Sequence, residues 1–306
     1  MVPQQFERIF SLPFVLGGRQ VLAKKLPVTV REITLAEALG GADGDILSLS
    51  DVPAPCAGSL LCNIPDPGWR THTVYEDRVA CVLSRDTWHY LSLAGSFDGF
   101  MANRYSEKSR ESFEREEGRL MARCGGELVL REYRDAAGAT ADFVRVVERI
   151  RAVCAAPPPA LPEKDRRRPA RDGRGYVLFA ADEPVAYLRL GRLDDILWYA
   201  GAGERDDYRR GSAGSLLHLQ VIRRLFQDGE CRYLDFRPGD SEVKRQFANG
   251  ALRSAVLLNL RPTLLNRAWL AAFVANRRAA APRSGSLAAL AESGLLGLRG
   301  ALSGTG

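Results

Sequence analysis

Residues 157–174 hold five prolines, at Pro157, Pro158, Pro159, Pro162 and Pro169, together with the basic run Arg166-Arg167-Arg168. Proline fixes φ and removes a backbone donor, so this segment has no place inside a helix or a central strand. The fold must come from the residues on either side. We read 157–174 as an exposed linker; a basic flap over an anionic substrate is the alternative, because long loops tend to be linkers or functional. The division expected is an N-terminal half over 1–156, the linker over 157–174, a C-terminal half over 175–278 and a low-complexity tail over 279–306. A chain of 306 residues has room for one large domain or two smaller ones.

The second half has the cleaner periodicity. Gly175 to Ala181 and Pro184 to Leu190 predict a hairpin around Asp182-Glu183, and Asp195 to Ala200 a third strand. A turn rich in Arg and Gly follows, from Asp206 to Ser215, and feeds an amphipathic helix over Leu216 to Phe226. Arg232 to Phe236 predicts a strand, Ser241 to Asn249 a short helix, Ser254 to Leu260 a strand and Leu264 to Arg278 an Arg-flanked helix. Three strands, a phosphate turn, a helix and a strand is the order that an acyl-CoA-dependent acyltransferase needs. The first N–H groups of the helix have no intrahelical partner, and its dipole favours an anion there. The candidate donor-binding residues are Arg209, Arg210, Gly211, Ser212, Gly214 and Ser215. An ordinary solvated helix cap has the same composition.

The first half is less regular. Thr34 and Glu37 form a capping box for a short helix stopped by Gly40-Gly41. Short strands are expected at Phe14 to Leu16, Asp45 to Leu49, Ser59 to Cys62, Thr71 to Tyr75, Arg78 to Leu83 and His89 to Leu93. Phe97 to Met121 has helical spacing and Glu127 to Tyr133 reads as a strand. In the helix over Ala141 to Cys154, Phe143, Val146, Val147 and Ile150 share one face.

Composition narrows the function classes. Net charge is +6, and lysine occurs only at Lys24, Lys25, Lys108, Lys164 and Lys244, so the cation is mainly arginine. Arginine suits bidentate phosphate recognition, although a compositional bias toward Arg, Ala and Gly has the same result. The six cysteines form no CxxC pair, and His72, His89 and His218 are not spaced as metal ligands, so neither a disulfide framework nor a metal site is expected. No secretory signal and no apolar run of membrane-spanning length is seen, and the cytoplasm is the expected location. No basic-aromatic patch points to DNA or RNA.

The runs Tyr176-Val177-Leu178-Phe179, Asp207-Tyr208, Ser212-Ala213-Gly214-Ser215-Leu216-Leu217 and Leu234-Asp235-Phe236, with Gly239-Asp240-Ser241-Glu242-Val243-Lys244-Arg245-Gln246-Phe247, carry a resemblance. The chain resembles the CelD-type (cellulose biosynthesis protein-like) GNAT acyltransferases over about residues 45–275. Ser106-Glu107-Lys108-Ser109-Arg110, with Arg115 and Arg119, is similar to a helix of that family in the first half. The resemblance implies an α/β protein with a duplicated GNAT-like fold, two mixed-sheet halves and an acyl-CoA donor, acetyl-CoA in the simplest case, bound in the second. It also implies an amine acceptor linked to exopolysaccharide or cell-envelope synthesis. Donor-loop roles fall to Arg209, Arg210, Ser212 and Gly214, and active-site roles to Asp235 and Lys244.

Those roles agree with the chemistry of acyl transfer. Lys244 would serve an oxyanion or a donor phosphate. Asp235 or Asp240 would orient the amine, and Tyr199 would protonate the leaving thiolate. Each residue also has a structural reading: Asp235 as a turn cap, Lys244 as a solvated helix residue, Tyr199 as core and the Ser106–Arg119 charges as a solvated face. Two departures from the family stand out. Val243 replaces an aromatic before the lysine, and Cys154-Ala155-Ala156-Pro157-Pro158-Pro159 stands where a Ser-x-Lys-Thr-Tyr-Gln-like motif is expected. The donor side is therefore better kept than the acceptor side. Two other functions stay open. One is a Fem-like aminoacyltransferase using aminoacyl-tRNA. The other is a non-catalytic GNAT that contacts a membrane surface through Leu264–Arg278, a helix that equally reads as core. The sequence leaves the oligomeric state undetermined.

Overall fold

The computed structural model describes residues 5–16, 19–41, 47, 49, 52–123, 125–134, 139–154, 173–209 and 213–280. In chain order the first elements are β1 (Gln5–Leu16), β2 (Arg19–Glu32), α1 (Leu35–Leu39), β3 (Gly58–Pro65), β4 (His72–Val74) and β5 (Val79–Ser92). Then come α2 (Phe97–Arg104), α3 (Glu107–Arg123), β6 (Leu128–Arg134), α4 (Ala139–Ala152), β7 (Arg174–Ala180), β8 (Glu183–Leu193) and β9 (Ile196–Glu204). The last are α5 (Asp206–Arg209), α6 (Ala213–Asp228), β10 (Tyr233–Pro238), α7 (Glu242–Phe247), β11 (Gly250–Leu260) and α8 (Leu264–Ala280).

The chain forms two compact units, one from residues 1–88 with 252–306 and the other from His89–Ala251. This division differs from one at 157–174. The strands flanking that segment, β6 and β7, pair antiparallel from Leu128↔Ala180 to Arg134↔Arg174, inside one unit. A linker-like composition therefore joins two neighbours in the same sheet; residues 155–172 lie outside the described residues.

In the first unit β1 and β2 make a long antiparallel hairpin, β2 runs parallel to β3, and β3 is antiparallel to β11. Side chains alternate along a strand, so Val28, Val30, Leu60, Cys62, Leu258 and Leu260 share a face. They pack in one core with Leu270, Phe273 and Val274 of α8. The apolar stripe of this helix is thus spent on the core of its own unit. Thr34 accepts the Glu37 N–H while Glu37 Oε2 accepts the Thr34 N–H at 2.8 Å, the capping box read from the sequence. Of the strand expected at Asp45 to Leu49, only residues 47 and 49 are described, and neither is in a strand.

The second unit is a meander, β6-β7-β8-β9, antiparallel throughout, with β10 added parallel to β9. Parallel neighbours need a crossover, and α6 supplies it. β7 is buried along its length, and its two faces are covered by different helices. Tyr176 and Leu178 join Leu188, Leu190 and Leu197 under Leu216, Leu217, Val221 and Leu225 of α6. Val177 and Phe179 join Tyr187 under Phe143, Val147 and Ile150 of α4. Each such side chain contributes about 1.5–3 kcal/mol when fully buried, so the continuous apolar run is what holds this strand between two helical layers. The β7–β8 turn places Ala181 and Asp182 at φ 45° and 65°, the positive values that a tight hairpin needs.

The helical stretch over Phe97 to Met121 is two helices. Tyr105 between them is extended, with φ −124° and ψ 139°. This conformation brings the Tyr105 hydroxyl to the Gln246 carbonyl at 2.8 Å, and Ser106 accepts the Ser109 N–H to start α3 afresh. Gln220 of α6 donates to Glu117 of α3 at 3.0 Å, so the Ser106–Arg119 helix belongs to the same unit as the Arg-Gly turn.

Candidate active site

β9, α6 and β10 form the crossover that positions the candidate site, entirely within the second unit. The turn between β9 and α6 opens with a helical segment. Asp206 to Arg209 form the short helix α5. Arg205 grips both Asp207 oxygens at 3.0 and 2.8 Å, and Arg209 pairs with Asp206 at 2.9 Å. Arg210, Gly211 and Ser212 lie outside the described residues. Gly214 and Ser215, both half-buried, stand in the first turn of α6.

That first turn already holds an anion from the chain itself. The Gly214 N–H donates to Glu204 Oε2 at 2.8 Å, and Arg209 Nε lies 3.5 Å from the other oxygen. A Cβ built on Gly214 would fall 2.8 Å from Glu204 Oε2, so glycine is what lets the carboxylate approach. Free N–H groups and the helix dipole together explain why a negative group settles there. Sequence reading had no access to Glu204, because only the β9–α6 geometry brings it to the turn.

The three expected catalytic residues fall into two places. Tyr199 on β9 lies on the α6 side of the sheet, with its ring 6.3 Å from Phe236. Asp235 is the neighbour of Phe236 and the register partner of Trp198, so strand alternation directs it to the opposite face. Burial pushes the Tyr199 phenol well above its usual range, so it stays protonated at neutral pH.

Asp235 and Lys244 meet around one loop. Asp235 is buried and its Oδ1 accepts the Arg237 N–H at 2.6 Å. Arg237 has φ 65° and Gly239 φ 105°, a backbone turned into the left-handed region. Lys244 Nζ donates to the carbonyls of Arg237, Pro238 and Gly239 at 2.8, 3.2 and 3.0 Å. Three carbonyls match the three donors of an ammonium. In this geometry Lys244 is a staple for the 237–239 loop, and Asp235 is the cap that starts it. Asp240 faces His89 Nε2 at 2.9 Å and also pairs with Arg245. The hydrogen bond from His89, and then Arg245, hold its carboxyl below the usual range.

A residue with no expected role completes the α6 side. His218 is buried, and its ring stacks with those of both Tyr199 and Phe247. Centroids are 5.9 and 5.4 Å away and the planes lie within 13° and 8°. A histidine four residues after Gly214, among the apolar positions of an amphipathic helix, was the available signal. Among the described residues no His, Cys, Asp and Glu cluster could hold a metal ion, and five cysteines are free. No described helix is long and apolar enough to cross a membrane.

With this geometry in view, residues 107–245 match the family described as acetyltransferase (GNAT) domain, a stretch that lies wholly within the second unit. The chain carries a GNAT acyltransferase domain. It is an α/β acyltransferase enzyme whose two units each contain a mixed sheet. A search of curated proteins finds no match. Among solved structures it is similar to a GCN5-related N-acetyltransferase from Kribbella flavida, with 14% identity over 78% of this chain and 84% of that one, and a TM-score of 0.36. L-PGS from Bacillus licheniformis is 12% identical over 88% of each chain, with a TM-score of 0.42. FemX is 8% identical over 86% of this chain and 90% of its own, with a TM-score of 0.46.

Proposed function

We propose that the chain is an acyl-CoA-dependent N-acyltransferase, moving an acetyl or other short acyl group from the thioester to an amine on a polysaccharide or cell-envelope precursor. The observation that carries this reading is the β9–α6–β10 crossover, whose α6 first turn binds a carboxylate through the Gly214 N–H. A turn that holds one anion is suited to the pyrophosphate of the donor, and Arg209, Arg210, Gly211, Ser212 and Ser215 adjoin it in the sequence. The amine attacks the thioester carbonyl, an oxyanion forms and collapses, and the thiolate leaves. Tyr199, kept protonated by burial, gives the thiolate its proton. Asp235 and Lys244 act by shaping the loop over residues 237–239. Isothermal titration with acetyl-CoA and with CoA tests the reading: saturable heat with both supports it, and absence of heat with both refutes it.

One observation favours a second reading. The carboxylate of Glu204 repels a pyrophosphate at the same N–H. An aminoacyl-tRNA donor, which brings no pyrophosphate to that turn, avoids the conflict. Transfer from charged tRNA without any response to acyl-CoA would establish it.

A further inference from the structure

His218 is held in one protonation form by its neighbours. Its Nδ1 lies 2.6 Å from the Gly214 carbonyl oxygen. A carbonyl only accepts, so Nδ1 must carry the proton and donate it. In the neutral imidazole, Nε2 is then a bare lone pair. That atom is buried and has no hydrogen-bond partner. A buried acceptor left unpaired costs about 1–3 kcal/mol, and such groups in native proteins are normally satisfied by water, ligand or a functional partner. Tyr199 and Phe247 stack with the ring, and an aromatic ring face is no substitute for the in-plane donor that the Nε2 lone pair needs.

The alternative protonation form is disfavoured by the same surroundings. The groups packed on the ring are Tyr199 from β9, Phe247 from α7 and the Gly214 carbonyl from the first turn of its own helix. Of these only Tyr199 titrates, and its phenol stays neutral. With no carboxylate among these groups to stabilise an imidazolium, burial pushes the His218 pKa below its usual value. The ring is neutral at rest, oriented by one end and unpaired at the other, beside the phenol read as the acid of the reaction.

We propose that His218 Nε2 is the proton acceptor of the acyl-transfer step, taking the proton released by the attacking amine. This rests on the acyl-CoA reading above. The amine nitrogen forms its bond to the thioester carbonyl carbon, and its proton passes to the Nε2 lone pair. The C–S bond then breaks, and the thiolate takes the Tyr199 proton. Atoms and charge balance, because the imidazolium and the phenolate that result return to neutral by proton exchange once the products leave. The class of acceptor implied is a neutral amine presented at the edge of the ring, since the Nε2 lone pair lies in the ring plane.

The test uses the full chain, with hydroxylamine as probe nucleophile and thiol release from acetyl-CoA as readout. The variants are His218→Phe, which keeps the aromatic column, and His218→Gln, which offers a hydrogen-bond acceptor that is too weak a base. Both are expected to bind CoA as the native chain does and to lose about a hundredfold in kcat, the usual share of a general base. Rescue by His218→Gln would overturn proton acceptance, and unchanged turnover in His218→Phe would overturn any chemical role. If the native chain itself releases no thiol, the acyl-CoA reading fails and this assignment with it. A second measurement does not depend on how the variants fold. Nitrogen-15 NMR of the native protein with labelled histidine should show one ring protonated at Nδ1 alone at neutral pH; a proton on Nε2 of His218 would overturn the proposal.

Discussion

Glu204 Oε2 accepts the backbone N–H of Gly214 at 2.8 Å, which places a carboxylate of β9 on the first turn of α6. The pairing sets the chain's own anion against any phosphate that comes to the same N–H. Removing the charge while keeping the shape should favour the phosphate. Glu204→Gln is expected to tighten CoA about fivefold, the scale of a helix-terminus charge effect. Titration calorimetry at low salt reads it, and weaker or unchanged binding would show that the donor does not use this turn.

Gly214→Ala tests the same contact from the other side. Its Cβ would meet Glu204 Oε2 at 2.8 Å, so the carboxylate must move or the turn must shift. Because Glu204 sits at the end of a strand and its side chain is flexible, the expected result is a folded protein with a melting temperature within a few degrees of native. A cooperative loss of the fold would mean that the Glu204 contact holds the β9–α6 turn together.

The loop over 237–239 depends on Lys244. Left-handed backbone at a residue other than glycine costs of order 1–3 kcal/mol, and Arg237 carries it at φ 65°. The ammonium offsets that cost through three carbonyls. Lys244→Met is expected to destabilise the chain by about 2 kcal/mol and to raise hydrogen exchange in 237–241. It should also cut turnover tenfold or more. Lys244→Arg should not rescue, since a planar guanidinium cannot meet three carbonyls arranged around a point. Native exchange rates in either variant would contradict the staple.

Asp66 sets an acid limit on the first unit. Burial alone would raise its pKa. The Gly68 and Trp69 N–H groups at 2.9 and 3.0 Å and Arg85 at 2.7 Å overcome this and lower it. A carboxyl with a depressed native pKa stabilises the fold above its unfolded pKa of about 3.9. The contribution is lost as pH falls through the lower native value. Asp66→Asn should therefore lower the melting temperature at pH 7, and the difference from native should shrink as pH falls below about 3.9. A constant difference across that range would contradict the assignment.

Local features were legible in the sequence where the decisive contacts are close in the chain. The Thr34–Glu37 capping box, the hairpin at Asp182 and the apolar face of α4 all appear as read. So does the strand-turn-helix-strand order of β9, α6 and β10. Features set by distant partners were not legible. Tyr105 breaks a periodic helix because its hydroxyl finds Gln246, far along the chain. β5 runs unbroken through residues read as two separate strands. Asp235 and Tyr199 both read as catalytic, and the parallel register of Asp235 on Trp198 puts them on opposite faces. His218 reads in sequence as one more helix residue, and only the fold stacks its ring with Tyr199 and Phe247. Pairing register and ring stacking are tertiary facts, and no local pattern encodes them.

The central claim is that the second unit takes an acyl-CoA donor at the α6 first turn. The most direct measurement is titration of the intact chain with CoA, monitored by calorimetry and by amide shifts of Gly214 and Ser215. The account predicts saturable binding at one site, with both amides shifting as Glu204 gives way to phosphate. Saturation without any shift at Gly214 would move the donor elsewhere, and no binding at all would contradict the acyl-CoA reading.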